Sequence, residues 1–356
     1  MDFASLLNKY FDEAAEQQGF TSERINLAGH QIEFCFAGDR WKDLTRAFFH
    51  GPARPSGKPG LRVMVWDGEH QPPRNHVLKA YLFAMTNWWF EYVGPRGQLL
   101  DVQAPGFEAY YVPGPDLLYA VDLKSNTAFC WKRDSSPLPY WEVVSPFRPL
   151  LHCWFRAQGF QFVHAAAVGT PDGGLLLTGK GGSGKSSTAI SCLNSSLNYL
   201  CDDFCLIGQQ NGMYSAFGLY ATAKLVGPED LARFPFIAQH VWNPDRETDH
   251  KAAFFLQDHF PESFIDHFPL KGILLPVVTG RRDTSVTVCS GSRAFSALAP
   301  STLSLLPASG AADFRFLSEF SRALPAYELR LGTDIAQIPL VLNYLLTRGR
   351  EAAAPK

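Results

Sequence analysis

Leu175-Leu176-Leu177-Thr178-Gly179-Lys180-Gly181-Gly182-Ser183-Gly184-Lys185-Ser186-Ser187-Thr188-Ala189-Ile190 is the stretch from which the rest of the chain is best read. An apolar run, a glycine cluster and a Lys-Ser pair leading into helix formers predict strand, phosphate-binding loop and helix. Gly179 to Ser186 satisfies G-x-x-x-x-G-K-[ST]. The glycines let the backbone turn its N–H groups inward around phosphate oxygens, and the following helix directs the positive end of its dipole at them. On this reading Gly179, Lys180, Gly181, Gly182, Ser183, Gly184, Lys185, Ser186 and Ser187 hold a nucleoside triphosphate. Lys185 reaches the β- and γ-phosphates, and the Ser186 hydroxyl ligates Mg²⁺.

The same letters support a rival. Gly179, Gly181 and Gly184 also spell G-x-G-x-x-G, and Asp202 and Asp203 follow at about the distance of a ribose-binding carboxylate, so a dinucleotide-dependent oxidoreductase is the alternative. Lys185-Ser186 directly after the last glycine favours the triphosphate, because a pyrophosphate turn has no use for them. The chain holds neither N-K-x-D, which would select guanine, nor the L-S-G-G-Q of a transporter ATPase.

Working outward, 356 residues suffice for two domains, and 46% hydrophobic residues mark an ordinary globular protein. A formal net charge of −2, with no basic stripe, argues against a nucleic acid or an anionic membrane as partner. The seven cysteines are scattered with no C-x-x-C pair, and read as free thiols of a reducing cytoplasm. Met1 to Gln18 places Phe3, Leu6, Leu7, Tyr10, Phe11 and Ala14 at helical spacing, predicting an amphipathic surface helix and not a targeting peptide. No uncharged apolar run reaches the ~18 to 20 residues of a membrane span, so a soluble, cytoplasmic protein is expected.

From Ile25 to about Trp141 the aromatic-rich sequence alternates with period two. Ile25–Phe36, Leu61–Trp66, Phe107–Val112 and Leu117–Leu123 read as strands of an antiparallel, β-rich amino-terminal domain covering 1–148. Within it Trp88-Trp89-Phe90 reads as packing or, alternatively, as a stacking platform. A Pro-rich join, Ser135–Pro139 and Ser145–Pro149, leads into a second domain over 149–349, with 350–356 a frayed tail. There a helix over Leu150–Gln158 precedes a strand over Phe160–Val168, and Pro171-Asp172-Gly173-Gly174 turns it tightly into the strand of the phosphate loop. Strands so joined are expected to be antiparallel neighbours, which sets His164 on the strand beside the loop strand. After the loop, Lys185–Asn194 reads as helix and Asn198–Ile207 as a strand interrupted by Asp202-Asp203. Two carboxylates inside an apolar strand are costly unless something positive meets them, and Mg²⁺ with Lys185 would. A surface turn between two short strands is the plainer reading. Lys224 and Lys251, each beside an apolar run, are candidate phosphate or substrate contacts or solvated lysines. Lys271–Val278 and Thr284–Val288 read as a strand pair, and Ser292–Leu346 as mostly helical.

His164 on a strand, Thr178 to Ser186 as loop, then Tyr199-Leu200-Cys201-Asp202-Asp203 resembles the catalytic segment of bacterial HPr kinase/phosphorylase. The resemblance covers about Phe160 to Ile207 and implies an α/β (α+β) core of P-loop kinase type, similar to phosphoenolpyruvate carboxykinase, behind the β-rich aromatic domain. It implies ATP and Mg²⁺ as cofactors. Of the acid pair, one carboxylate takes the acceptor hydroxyl's proton and the other holds metal; Asp202 is the expected base and Asp203 the expected metal ligand. His164 lines the site, in a catalytic role or as a buried structural histidine. The family's glycine- and arginine-bearing segment for its protein substrate is not found downstream, and the amino-terminal domain differs from the family's. The chain thus looks like a stand-alone serine kinase of HPr-kinase type acting on serine, a peptide, a protein or a small molecule, and a homo-oligomer is compatible with this. A nucleotide-binding regulator without transfer is the remaining alternative.

Overall fold

The computed structural model describes residues 2–51, 57–68, 93–307 and 309–348. These fall into two units, one formed by the described residues within Met1–Arg46, Pro52–Gln158 and Leu306–Ala308, the other by those within Ala47–Gly51, Gly159–Leu305 and Ser309–Lys356. Trp88-Trp89-Phe90 and the tail over 350–356 lie outside the described residues. The architecture is mixed α/β with several sheets.

In the first unit, α1 (Phe3–Gln18) starts at Asp2, whose Oδ1 accepts the Ser5 N–H at 2.7 Å, and buries Leu7, Tyr10, Phe11 and Ala14 on one stripe. The run expected as a strand over Ile25–Phe36 is instead a hairpin of β1 (Phe20–Leu27) and β2 (His30–Ala37). Ala28 and Gly29 both take positive φ, 48° and 83°, the backbone a two-residue turn of this hand requires. With β3 (Leu61–Asp67), β4 (Phe107–Val112), β5 (Leu117–Asp122) and β6 (Thr127–Lys132) they form a sheet in the order β1-β2-β3-β6-β5-β4. It is mixed and not antiparallel throughout, since β3 runs parallel to both β2 and β6. Period-two alternation is the same for either direction, so only chain connectivity reveals it. The α1 stripe packs on Cys35, Trp66, Phe129 and Trp131, and α2 (Arg148–Ala157) buries Leu150, Leu151, Trp154 and Phe155 in the same unit.

The second unit is built on a nine-stranded sheet. Its elements are β7 (Gln161–His164), β8 (Ala166–Thr170), β9 (Gly173–Leu177), α3 (Lys185–Ser191), β10 (Asn198–Cys201), β11 (Phe204–Gln210), β12 (Met213–Gly218), β13 (Thr222–Leu225), α4 (Gly227–Arg233), β14 (Ala252–Phe255), β15 (His267–Val278), β16 (Ser285–Cys289), α5 (Gly291–Leu305), α6 (Ala311–Ala323), β17 (Ala326–Leu331) and α7 (Gln337–Arg348). The strands run β10-β8-β9-β15-β12-β11-β7, with β17 on β15 and β16 on β17, while β13 and β14 pair separately. Alternation sorts the side chains. Leu175, Leu177, Leu274 and Leu329 meet Ala189 and Ile190 of α3 and Leu342 of α7. Leu176, Ile273 and Leu275 face the other way onto Leu298 of α5 and Phe320 of α6.

Two expectations are corrected here and a third gains a strand. The strand expected over Phe160–Val168 divides at Ala165: β8 pairs antiparallel with β9, but β7, carrying His164, pairs with β11. His164 is therefore not on the strand beside the loop strand. β15 and β16 do not pair with each other, because β17 lies between them, parallel to β15 and antiparallel to β16. β17 itself falls within the stretch expected to be mostly helical; Ala326-Tyr-Glu-Leu-Arg-Leu331 alternates, with Leu329 and Leu331 buried and Arg330 exposed.

Candidate active site

β9 is held in place by parallel pairing with β15, and the pairing continues one residue past the strand, where the Thr178 N–H donates to the Leu274 carbonyl at 2.9 Å. The glycine loop begins there. Gly182 and Gly184 sit at φ 76° and 102°, a backbone that side chains oppose, and a Cβ on Gly184 would come within 2.3 Å of Leu331 Cδ1. Gly184 caps α3 with no side-chain hydrogen bond, so no side chain competes for the N–H groups of its first turn. Lys185 is buried, its ammonium donating to the carbonyls of Gly179 at 2.7 Å and Lys180 at 3.3 Å. Burial pushes its pKa down; Asp202 and Asp203 pull it back up, and the charge of Lys251 adds to the depression.

The acid pair occupies a crossing. β10 belongs beside β8 and β11 beside β7, so Asp202-Asp203 carries the chain from one end of the sheet path to the other, as Ala165 does between β7 and β8. The Ala165 N–H donates to the Asp203 carbonyl at 3.1 Å, fastening the two crossings together. That is why His164 meets Asp203. Its Nε2 lies 3.2 Å from Asp203 Oδ1, and since a carboxylate only accepts, Nε2 carries the proton of this bond. Nδ1 is buried with no hydrogen-bond partner among the described residues. The ring rests against Phe204, and the His164 backbone N–H donates to Thr302 Oγ1 of α5 at 3.1 Å. Asp203 Oδ2 accepts the Lys224 ammonium at 2.5 Å.

The two carboxyls diverge electrostatically. Burial raises the Asp202 pKa and the neighbouring Asp203 charge adds to it, while the Ser186 hydroxyl and the Lys224 N–H act against the rise. Asp202 Oδ2 accepts that N–H at 3.0 Å; Oδ1 is buried with no hydrogen-bond partner among the described residues. Burial also works against the charge on Asp203, but the Lys224 charge and the His164 hydrogen bond outweigh it and hold the carboxyl well below the usual carboxylate range.

Lys224 comes from β13, which the Tyr199 hydroxyl ties to β10 by donating to the Thr222 carbonyl at 2.8 Å. Lys251 immediately precedes β14. One cleft of about 140 Å³ brings together His164, the loop from Gly181 to Ser187, Asp202, Asp203, Lys224 and Lys251. Gly179 and Lys180 are not among its lining residues; their carbonyls instead hold Lys185. Val226, Val278, Asp230 and Arg233 also line it, and sequence reasoning passed over all four. Asp230 and Arg233 share α4, three residues apart and 3.9 Å at their closest, and the one local signal was the helix start at Gly227-Pro228 directly after the Lys224 strand.

A cation fits these residues. An unpartnered buried carboxylate oxygen of Asp202, with the Ser186 hydroxyl beside that carboxyl under a glycine loop, is a hard oxygen donor set of the kind Mg²⁺ takes. The seven cysteines form no disulfide, and among the described residues no helix is long and apolar enough to cross a membrane.

No protein-family model matches the chain, and no curated protein matches it. Among solved structures it is similar to the Hpr(Ser) kinase/phosphatase from Coxiella burnetii, at 11% sequence identity and a TM-score of 0.32, over 54% of this chain and 91% of that one.

Proposed function

We propose that the second unit binds ATP with Mg²⁺ and transfers the γ-phosphoryl group to a hydroxyl, serine being the expected acceptor, free or in a peptide or protein. The observation that carries this reading is the convergence of the Lys185 loop, the buried Asp202 and half-buried Asp203 carboxyl groups, Lys224 and His164 on one cleft. A dinucleotide site has less support, because β10, which follows α3, pairs antiparallel with β8 and not parallel beside β9. A silent binder would have no use for a carboxylate held ionised by a lysine and a histidine in the same cleft.

The neighbours of the acid pair support roles in the order opposite to the sequence expectation. Asp202, beside the Ser186 hydroxyl and with an oxygen that has no hydrogen-bond partner among the described residues, is the metal ligand; burial and the Asp203 charge raise its pKa against the pull of Lys224. Asp203 accepts the proton of the acceptor hydroxyl as the new P–O bond forms, and His164 and Lys224 orient it. Lys185 exchanges its two carbonyl partners for phosphate oxygens. Bound Mg²⁺ would supply neutralisation of phosphate charge.

The test is transfer of radiolabelled γ-phosphate to serine, to serine-containing peptides and to HPr, run beside thermal shift with MgATP, MgGTP and NAD. Asp203→Asn is expected to keep stabilisation by MgATP and to lose at least about a hundredfold in transfer. Stabilisation of the native protein by NAD alone would sink the kinase reading, and undiminished transfer by Asp203→Asn would sink the base assignment.

A further inference from the structure

β13 and β14 form a two-stranded sheet with Lys224 opposite Ala253 and Leu225 opposite Ala252. Residues directly opposite in an antiparallel pair share a face, and so do residues two apart on one strand. Lys251 therefore shares the face of Ala253 and Lys224, diagonal to Lys224. The packing agrees: Ala223, Ala252 and Phe254 are buried in the core shared with α3 and α7, Leu225 is buried there and also borders the cleft, and Lys224 and Lys251 line the cleft. The backbone carrying Lys251 is fixed as well, since the Asn243 side chain donates to the Lys251 carbonyl at 3.0 Å and accepts the Ala253 N–H at 2.8 Å.

The cations of the cleft differ in how they are matched. Lys224 is paired with Asp203, and Arg233 has Asp230 on its own helix. The Lys251 ammonium has no hydrogen-bond or ion-pair partner among the described residues, and it lines the same cleft as Lys185. Asp202 and Asp203 offset the charge of Lys185, but nothing among the described residues matches Lys251, so its ammonium is left for an anionic ligand of the cleft, and the anion that a glycine loop is shaped for is a polyphosphate.

We infer that Lys251 is a second phosphate-binding lysine, supplied by a different element from Lys185, and that it selects nucleotides by the length of their phosphate chain. This rests on the nucleotide reading above. The triphosphate meets both lysines; a monophosphate lacks the terminal phosphates that Lys185 and Lys251 hold.

Calorimetric titration of the full chain with MgATP and with AMP tests it, using the native protein, Lys251→Gln and Lys251→Arg. Lys251→Gln removes the charge and is expected to weaken MgATP about tenfold, the cost of one charge-assisted contact, while AMP affinity stays within about twofold. Lys251→Arg keeps the charge and should retain MgATP affinity within about threefold of native. MgATP binding by Lys251→Gln within about twofold of native overturns the inference, and so does an equal loss for MgATP and AMP, which would mark a structural role. A native protein that binds neither ligand overturns the nucleotide reading and this inference with it.

Discussion

Asp202 and Asp203 share a peptide bond, yet burial raises the pKa of one while Lys224 and His164 lower that of the other. The difference has a sign that can be measured. A carboxyl whose folded pKa lies above its unfolded value favours the fold when protonated, and that contribution is lost as pH rises through the folded value. Asn at position 202 keeps an oxygen for the Lys224 N–H without the charge. Denaturant unfolding without nucleotide should therefore show Asp202→Asn more stable than native at pH 7, with the gap closing as pH falls toward the ordinary carboxylate value of 3.8. A gap that stays constant down to that pH would mean that Asp202 is not the strained group. Adding MgATP should narrow or reverse the order at pH 7, because the native protein alone keeps the full donor set for the cation.

At the scale of elements, β9 buries leucines on both faces of the nine-stranded sheet and delivers the loop. α3 has only seven residues, too short to persist alone, so its position depends on Ala189 and Ile190 packing against Leu175 and Leu177. Leu177 is fully buried. Leu177→Ala is expected to cost about 2–5 kcal/mol in a urea titration, the range for a buried leucine in a close-packed site. A cost below about 1 kcal/mol would mean that the layer collapses around the gap. The pairing of β13 with β14 is the other decisive element contact, since a one-residue slip in its register would turn Lys224 and Lys251 into the core.

For the whole molecule, the two units carry separate cores, one around α1 and Trp66, the other on both faces of the nine-stranded sheet. Scanning calorimetry is expected to resolve two transitions, with MgATP raising the one that belongs to the unit holding the loop. At a hundredfold excess over its dissociation constant, a ligand of the native state contributes about 2.7 kcal/mol. A single transition that moves as one would show that the units unfold together.

Taken by itself, the sequence determined the strand, glycine loop and helix around Gly179 to Ser186 and the break at Asp202-Asp203, because both are contiguous and local conformation dictates them. It also showed where most strands alternate. The partner of each strand was beyond it, because period two tells which side chains share a face and not which neighbour lies alongside. Hence the division at Ala165, the insertion of β17 between β15 and β16, and the parallel setting of β3 were not legible. Only the tertiary structure brought His164 to Asp203 and Lys224 and Lys251 to the loop, since each of those meetings joins segments held together by strand exchange and core packing.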